Sequence, residues 1–404
     1  MSDIPTGVQA RTVRVLVAGQ ILAGLGTGAS LSVGAILAVA VSGSEAWAGA
    51  AATLTTLGSA AAAIPLARLA MARGRRPALS LGALTAAVGS TVAVTAATLG
   101  LFPLLLLGFA LLGVGSAVGL QARFAATDAA EPTRRGRDLS IVVWSTTIGA
   151  IVGPNLFAPG AVIAQAVGLP DLTGPFLIAV VAQLLAATTY LVLLRPDPLV
   201  LAKARPVVLS AEADEGIVRG RSTLVFAIAA LALSHAVMVS VMSMTPVHLA
   251  DQGASLVVVG FTISLHIAGM YALSPVFGWA SDRFGRIRIL LVGQLLFVMS
   301  IFVVAIGTAN NAAVGVGLVL LGLGWSASTV SASALISDLV TGAERVRIQG
   351  RSDLFMNIAG AVGGASAGPV LALIGYAGLA WVVGVLVLAI LGGATVITQS
   401  RRTA

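Results

Sequence analysis

The stretch LFPLLLLGFALLGVGSAVGLQA, residues 101–122, decides the fold, because it runs for 22 residues without a charge. A helix that crosses a membrane needs about 20 predominantly apolar residues. The whole chain of 404 residues is 58% hydrophobic and 9% charged, with a mean hydropathy of +1.02, whereas soluble domains carry roughly 25% charged residues. We therefore expect a protein of the lipid bilayer. It has no cysteine, which excludes disulfides and thiolate metal sites.

Eleven further stretches have the same character, so twelve membrane spans are predicted, with ends uncertain by a few residues. The first exceeds the length of a signal-peptide core and is predicted to be retained. The spans are approximately 15–40, 47–67, 78–99, 101–122, 139–161, 174–194, 224–249, 255–280, 288–308, 311–337, 353–374 and 377–398.

Charge distribution predicts the orientation. All 23 Lys and Arg residues fall on one side of these spans, whereas the opposite loops hold Glu45, Asp171 and Asp251 and no basic residue. By the positive-inside rule both termini are cytoplasmic, in the inner or plasma membrane. The net charge of +8 is thereby explained without a nucleic-acid partner.

A short element recurs in the fifth and eleventh spans, where Asp138 and Asp353 are each followed 16 residues later by a proline. We therefore predict an all-α membrane protein with two homologous six-helix bundles related by pseudo-two-fold symmetry, residues 1–195 and 223–404, joined by a cytoplasmic linker at 196–222. Parallel repeats with a binding site between them are typical of transporters. Glycines four residues apart allow close helix contact, so helix packing is the predicted role of Gly149, Gly153, Pro154, Gly364, Gly368 and Pro369.

The loop after the eighth span reads Gly278-Trp-Ala-Ser-Asp282-Arg283-Phe-Gly285-Arg286. It resembles the G-x-x-x-D-R-x-G-R loop motif of the major facilitator superfamily, and the resemblance extends over essentially the whole chain. The family implies a twelve-helix transporter in which this loop gates the cytoplasmic side. Its aspartate faces the start of a helix in the other half, as suits a helix dipole; here Asp282 would act on the start of span five. The corresponding first-half loop has Met71 in place of the aspartate.

Soft metal ligands are concentrated in spans seven and eight. All three histidines and four of the eight methionines lie there. Met238 and Met242 form Met-x-x-x-Met on span seven, and His266 and Met270 form His-x-x-x-Met on span eight, so each pair shares a helix face. Thioether sulfur and imidazole nitrogen suit Cu(I) more than magnesium or calcium.

These two motifs resemble those of the copper-importing, CcoA-like branch of the superfamily, which implies Met238, Met242, His266 and Met270 as ligands of copper in transit. The cysteines of that branch are absent. The alternative interpretation is apolar filling by methionine and a histidine bonded to a neighbouring helix. Secondary ligands or a proton relay are predicted from His235, Met244 and His248.

We thus predict a secondary transporter that works by alternating access and imports copper as substrate, with no resident cofactor. The alternative is a proton-coupled efflux antiporter for drugs or amphipathic metabolites, since the glycine–proline motif resembles one in drug–proton antiporters. A membrane enzyme or sensor is disfavoured because no phosphate loop, HExxH helix or Ser–His–Asp pattern is present. The expected partners are lipid, a small-molecule or metal-ion substrate and a coupling proton, and the expected state is a monomer.

Overall fold

The computed structural model describes residues 6–44, 47, 50–204, 213–254, 256–340 and 342–400, and within these ranges every residue outside a helix belongs to a turn or short connection. The helices are α1 Thr6–Ser42, α2 Ala50–Arg73, α3 Arg75–Leu99, α4 Phe102–Asp128, α5 Arg135–Val152, α6 Phe157–Ala166, α7 Gly174–Leu193, α8 Pro198–Ala204, α9 Ala213–Asp251, α10 Leu256–Tyr271, α11 Ser274–Phe284, α12 Arg286–Ile306, α13 Asn311–Leu339 and α14 Gly342–Ser400.

Ten helical stretches of the described residues are long and apolar enough to cross a membrane. One of them, Glu344–Ile397, contains a break at Gly375, whose φ of 71° is left-handed, so it supplies two spans. The helices α5 and α6 together supply another, separated by the 3-10 turn Gly153–Leu156. The predicted all-α fold of twelve spans is therefore confirmed, and the protein is a multi-pass membrane protein.

Two predicted spans are broken where the sequence opposes a continuous helix. Gly153 and Pro154 open the 3-10 turn inside span five, since proline cannot donate a backbone hydrogen bond. Span eight divides into α10 and α11, and α11 begins at Ser274 with a proline in its first turn. Breaks of this kind leave backbone groups that neighbouring helices or side chains must satisfy.

The chain forms two compact units. Unit 1 comprises Met1–Ala130, Ser145–Ala204 and Gly342–Leu354, and unit 2 comprises Glu131–Trp144, Arg205–Thr341 and Phe355–Ala404. The first residues of α5 group with unit 2 and those of α14 with unit 1. The predicted linker contains α8 and the start of α9, and its residues 205–212 lie outside the described part of the chain.

Each unit has its own apolar core, over which its helices pack. In unit 1, α3 packs on α4 and α7, and α1 packs on α7, over a core that includes Leu105, Phe109 and Phe176. In unit 2, α13 is central, because α12, α10 and α9 all pack against it. Its core includes Phe297 and Trp325.

Candidate functional site

An aromatic cluster, formed by His235 on α9, Tyr271 on α10 and Trp325 on α13, lies at the middle of three spans of unit 2. Trp325 Nε1 donates a hydrogen bond of 3.0 Å to His235 Nδ1. The Tyr271 and Trp325 rings meet edge to face, with centroids 5.6 Å apart and an interplanar angle of 79°. His235 and Tyr271 are half-buried, whereas Trp325 is buried. Three helices thus bring an imidazole, an indole and a phenol ring together.

The hydrogen bond defines the state of His235. Its Nδ1 accepts a hydrogen bond from Trp325, so the neutral imidazole carries its proton on Nε2. A side chain on Gly360 of α14 would contact this ring, because an ideal Cβ there would be 2.9 Å from His235 Nε2. The aromatic cluster therefore has a hydrogen-bond donor at its α14 side.

Three of the four predicted metal ligands lie in or against the unit 2 core, and the fourth, His266, is bonded to α13. Met238 and Met270 are buried in the unit 2 core, and Met242 packs against the same core while half-buried. His266 is fully buried, but its Nδ1 donates a hydrogen bond of 2.7 Å to Leu318 O on α13. This hydrogen bond directs the imidazole to α13, the helix on which α10 mainly packs.

The second ring nitrogen of His266 has a different environment. Because Nδ1 donates, Nε2 holds a lone pair, and it has no hydrogen-bond partner among the described residues. The nearby α13 backbone is very close, since an ideal Cβ on Gly322 would be 2.9 Å from Met270 N. The helix face that carries His266 and Met270 is therefore a packing face that also holds one unsatisfied acceptor.

The secondary candidates make contacts of their own. His248 Nε2 donates to Thr308 O at 2.9 Å, and its ring stacks on Tyr376 with centroids 4.3 Å apart. Met244 packs against the unit 2 core. His235 belongs to the aromatic cluster instead. Among the described residues no group of three His, Asp or Glu side chains could hold a metal ion.

The predicted gating loop meets the start of α5 within unit 2. Asp282 accepts hydrogen bonds from Gly136 N at 2.9 Å and from Arg137 N at 2.8 Å, and it pairs with Arg286. This is where the family resemblance puts Asp282, and the two N–H groups belong to the electropositive first turn of a helix. Gating itself stays a prediction. Three other residues belong to this loop. Gly278 lies against Ser140, and Gly285 directly precedes α12. Arg283 lies 5.9 Å from the Phe284 ring centroid.

The two glycine–proline motifs differ in their surroundings. Gly149 and Gly153 lie directly against Gly24 and Gly28 of α1, where any side chain would overlap the α1 backbone. In α14 an ideal Cβ on Gly364 would be 3.3 Å from Val239, and one on Gly368 would have no described atom within 4 Å. The first motif therefore allows close contact of two helices, whereas Gly368 and the exposed Pro369 have open surroundings.

Four aspartates near helix ends each have an interaction partner. In unit 1 the fully buried Arg75 pairs with Asp128 at 2.7 Å, and Arg123 pairs with Asp353 at 2.5 Å. In unit 2 Asp338 receives both Arg135 and Arg286, and Asp138 is buried with a partner of its own. Sequence analysis singled out Asp138 and Asp353 by their repeated spacing, but it identified none of these partners.

Sequence analysis also missed Tyr271 and Trp325 as candidate site residues. A signal for Trp325 was present, because tryptophan in membrane helices favours the two interfaces and Trp325 lies midway along α13. An aromatic residue with a polar edge at that depth needs a hydrogen-bond partner, which His235 provides.

Comparison with known proteins places the fold and the family. The Major Facilitator Superfamily sequence model matches residues 16–265 and 227–402. The uncharacterized MFS-type transporter YdeG of Bacillus subtilis (strain 168) is 35% identical over 383 residues, covering 93% of this chain and 89% of the relative. The riboflavin transporter RfnT of Brucella anthropi is 30% identical over 327 residues, covering 79% of each chain.

Solved structures agree on the fold. The human organic anion transporter MFSD10 superposes with a TM-score of 0.75 at 15% identity, covering 97% of this chain and all of that one. The proton:xylose symporter XylE superposes with a TM-score of 0.74 at 14% identity, covering 98% of this chain and 96% of its own. With twelve helical spans, a family match along nearly the whole sequence and relatives of this identity, the chain belongs to the major facilitator superfamily of transporters.

Proposed function

We propose that this transporter carries a flat heteroaromatic solute, with riboflavin as the compound to test, by alternating access. The observation that supports the proposal is the aromatic cluster of His235, Tyr271 and Trp325 at the middle of unit 2. Binding sites for such solutes are mostly apolar and aromatic, with a few polar groups that fix orientation. The similarity to RfnT, a riboflavin transporter, favours this solute class.

The chemistry of the aromatic cluster matches a flat ring system with polar edges. Aromatic rings favour edge-to-face or offset stacked contacts, worth about 0.5–1.5 kcal/mol beyond the area they bury. Tyr271 is half-buried and can offer ring surface. The imidazole of His235, held by Trp325, supplies a polar ring edge beside this surface.

Riboflavin fluorescence gives a direct binding assay on the purified protein in detergent. We expect saturable quenching of flavin fluorescence, and Trp325→Leu should raise the Kd by about 2- to 13-fold or more from the lost ring contact alone. The matched control is Trp381→Leu, which removes a half-exposed tryptophan that contacts Phe302. Absence of saturable quenching by wild type, or equal Kd values for the two variants, would contradict the proposal.

A second candidate substrate is Cu(I), favoured by one observation at His266. Histidines that bind metals commonly donate the other ring N–H to a carbonyl, and His266 has this arrangement, with Nδ1 bonded to Leu318 O and Nε2 unpartnered among the described residues. The sulfurs of Met238, Met242 and Met270 belong to the adjoining core. Copper import through these residues remains a prediction from the sequence.

Metal analysis tests this second candidate independently of riboflavin. Purified wild type incubated with Cu(I) should retain copper after desalting, and His266→Leu and Met242→Leu should retain less. Met299→Leu is the control, since that methionine is 46% exposed on α12. Equal copper content in wild type and His266→Leu would exclude the site. Drug–proton antiport, the other alternative, predicts proton movement coupled to solute movement in liposomes that contain the purified protein.

A further inference from the structure

The first loop, residues 71–76 between α2 and α3, and the second loop, residues 282–287 between α11 and α12, share a glycine and the arginine after it but differ at the motif aspartate. Gly74 and Gly285 both have positive φ, 95° and 101°, and both precede the next helix. The arginine after each glycine pairs with an aspartate, Arg75 with Asp128 and Arg286 with Asp338. The aspartate three residues before the glycine, however, is present only in the second loop, as Asp282. The first loop has Met71 there.

Asp282 has a defined task in its own unit. Its two carboxylate oxygens accept the N–H groups of Gly136 and Arg137, at 2.9 and 2.8 Å, in the first turn of α5. Such bonds satisfy backbone donors that a helix start otherwise leaves unpaired. The carboxylate thereby joins the loop after α11 to the start of α5. Met71 cannot form the corresponding bonds in unit 1.

In unit 1 the segment that follows α7 contacts the first loop and supplies a carboxylate from Asp197. Asp197 Oδ2 accepts the N–H of Arg76 at 2.7 Å, at the start of α3. Its other oxygen, Oδ1, accepts the N–H of Leu199 at 2.9 Å, at the start of α8. One carboxylate therefore joins the beginnings of two helices. Any side chain on Gly74 would collide with this carboxylate.

A second polar contact lies at the other end of α8. Lys203 Nζ donates to Met71 O at 2.5 Å. The acceptor is the backbone of the residue that replaces the missing aspartate. Asp197 and Lys203 thus fasten both ends of the short helix α8 to the loop between α2 and α3.

The apolar side of α8 completes the contact. Leu199 is 3% exposed and shares one cluster with Ala67 and Ala70 of α2, and with Val346 near the start of α14. Gly350 of α14 also faces Ala67 closely. The start of α14 in unit 1 corresponds to the start of α5 in unit 2. Apolar contacts supported by α8 therefore occur where unit 2 uses a carboxylate.

We propose that Asp197 and Lys203 are positioning residues for the transport cycle: they hold the loop between α2 and α3 in the shape that receives the start of α14. This is the task that Asp282 performs for the start of α5. The segment after α7 then stabilises the conformation of the loop between α2 and α3, in addition to linking the two bundles in the sequence.

Thiol labelling tests this proposal without any substrate. The chain has no cysteine, so Ala70→Cys places a unique thiol at a fully buried position beside Leu199. In detergent, a maleimide should label this thiol about tenfold or more faster when Asp197→Asn or Lys203→Met is added, because labelling follows the population of the opened loop. Arg73→Gln, an exposed change in the same loop, is the control and should leave the rate unchanged.

Rescue distinguishes positioning from general destabilisation. Met71→Asp restores the missing carboxylate. Combined with Asp197→Asn, it should return the labelling rate towards that of Ala70→Cys alone. A protein that Asp197→Asn had merely destabilised would not recover in this way. Riboflavin uptake by the same variants should fall and recover in parallel, a readout that rests on the proposed function. Unchanged labelling in both Asp197→Asn and Lys203→Met, or fast labelling that Met71→Asp does not slow, would overturn the proposal.

Discussion

Replacing Asp128 with asparagine should destabilise unit 1 strongly, because it would leave the guanidinium of Arg75 buried without its counter-charge. Both side chains are 0% exposed. Arg75 binds Asp128 through Nε at 2.7 Å and through Nη2 at 3.3 Å, and it also donates to Gln121 at 2.6 Å and to Gln349 at 2.5 Å. The amides offer hydrogen bonds, but only Asp128 in this set carries a negative charge.

The expected magnitude follows from the burial of the pair. Breaking a buried ion pair by removing one partner costs about 3–5 kcal/mol, since the remaining charge is desolvated and uncompensated. For a folded unit of roughly 200 residues, such a loss lowers the melting temperature by roughly 6–20 °C. Arg75→Gln should cost a similar amount, because it leaves the carboxylate of Asp128 buried alone.

A double-mutant cycle separates the charge effect from lost packing. Thermal unfolding in detergent, followed by tryptophan fluorescence, would be measured for each single variant and for Arg75→Gln with Asp128→Asn. The double variant should be clearly more stable than the sum of the two losses predicts, by about 0.5–3 kcal/mol. Arg288→Gln, an exposed change, is the control. If Asp128→Asn melts within about 2 °C of that control, the buried pair does not stabilise the unit as we argue.

Substitutions at three further positions should lower the stability of the protein. Gly149→Ala should destabilise the protein by about 1–3 kcal/mol because the new methyl group overlaps the α1 backbone, whereas Gly368→Ala should be neutral; melting temperatures compare them. Tyr376→Phe should cost about 0.5–1.5 kcal/mol by removing the 2.6 Å hydrogen bond to Thr245, and Thr245→Val should abolish that difference in a double-mutant cycle. Asp282→Asn should lower the melting temperature, since it replaces a charged acceptor of two helix N–H groups by a neutral one, and an unchanged value would contradict this capping role.

Hydropathy was sufficient to predict the number of spans, because the requirement for about 20 apolar residues is local to each helix. The breaks in spans five and eight were not anticipated, although Pro154 was noted for its motif. A proline in a membrane helix either continues the helix with a kink or opens it, and the neighbouring helices decide between the two. Here the chain forms the 3-10 turn Gly153–Leu156.

Side-chain partners were the part that the sequence could not supply. The spacing of His266 and Met270 correctly implied a shared helix face, but not that this face packs on α13. Likewise Asp128 lies 53 residues from Arg75 along the chain, and no local pattern relates them. Met71 was recognised as a departure from the loop motif. Its compensation by Asp197 depends on where α8 lies, which is a tertiary property.

The most direct test of the central claim is riboflavin uptake by the purified protein reconstituted into liposomes. Wild type should move riboflavin across the bilayer faster than empty liposomes do, Trp325→Leu should reduce that rate, and Trp381→Leu should not. Riboflavin movement indistinguishable from that of empty liposomes, with wild type correctly folded and inserted, would contradict the assignment of a flat heteroaromatic solute to this transporter.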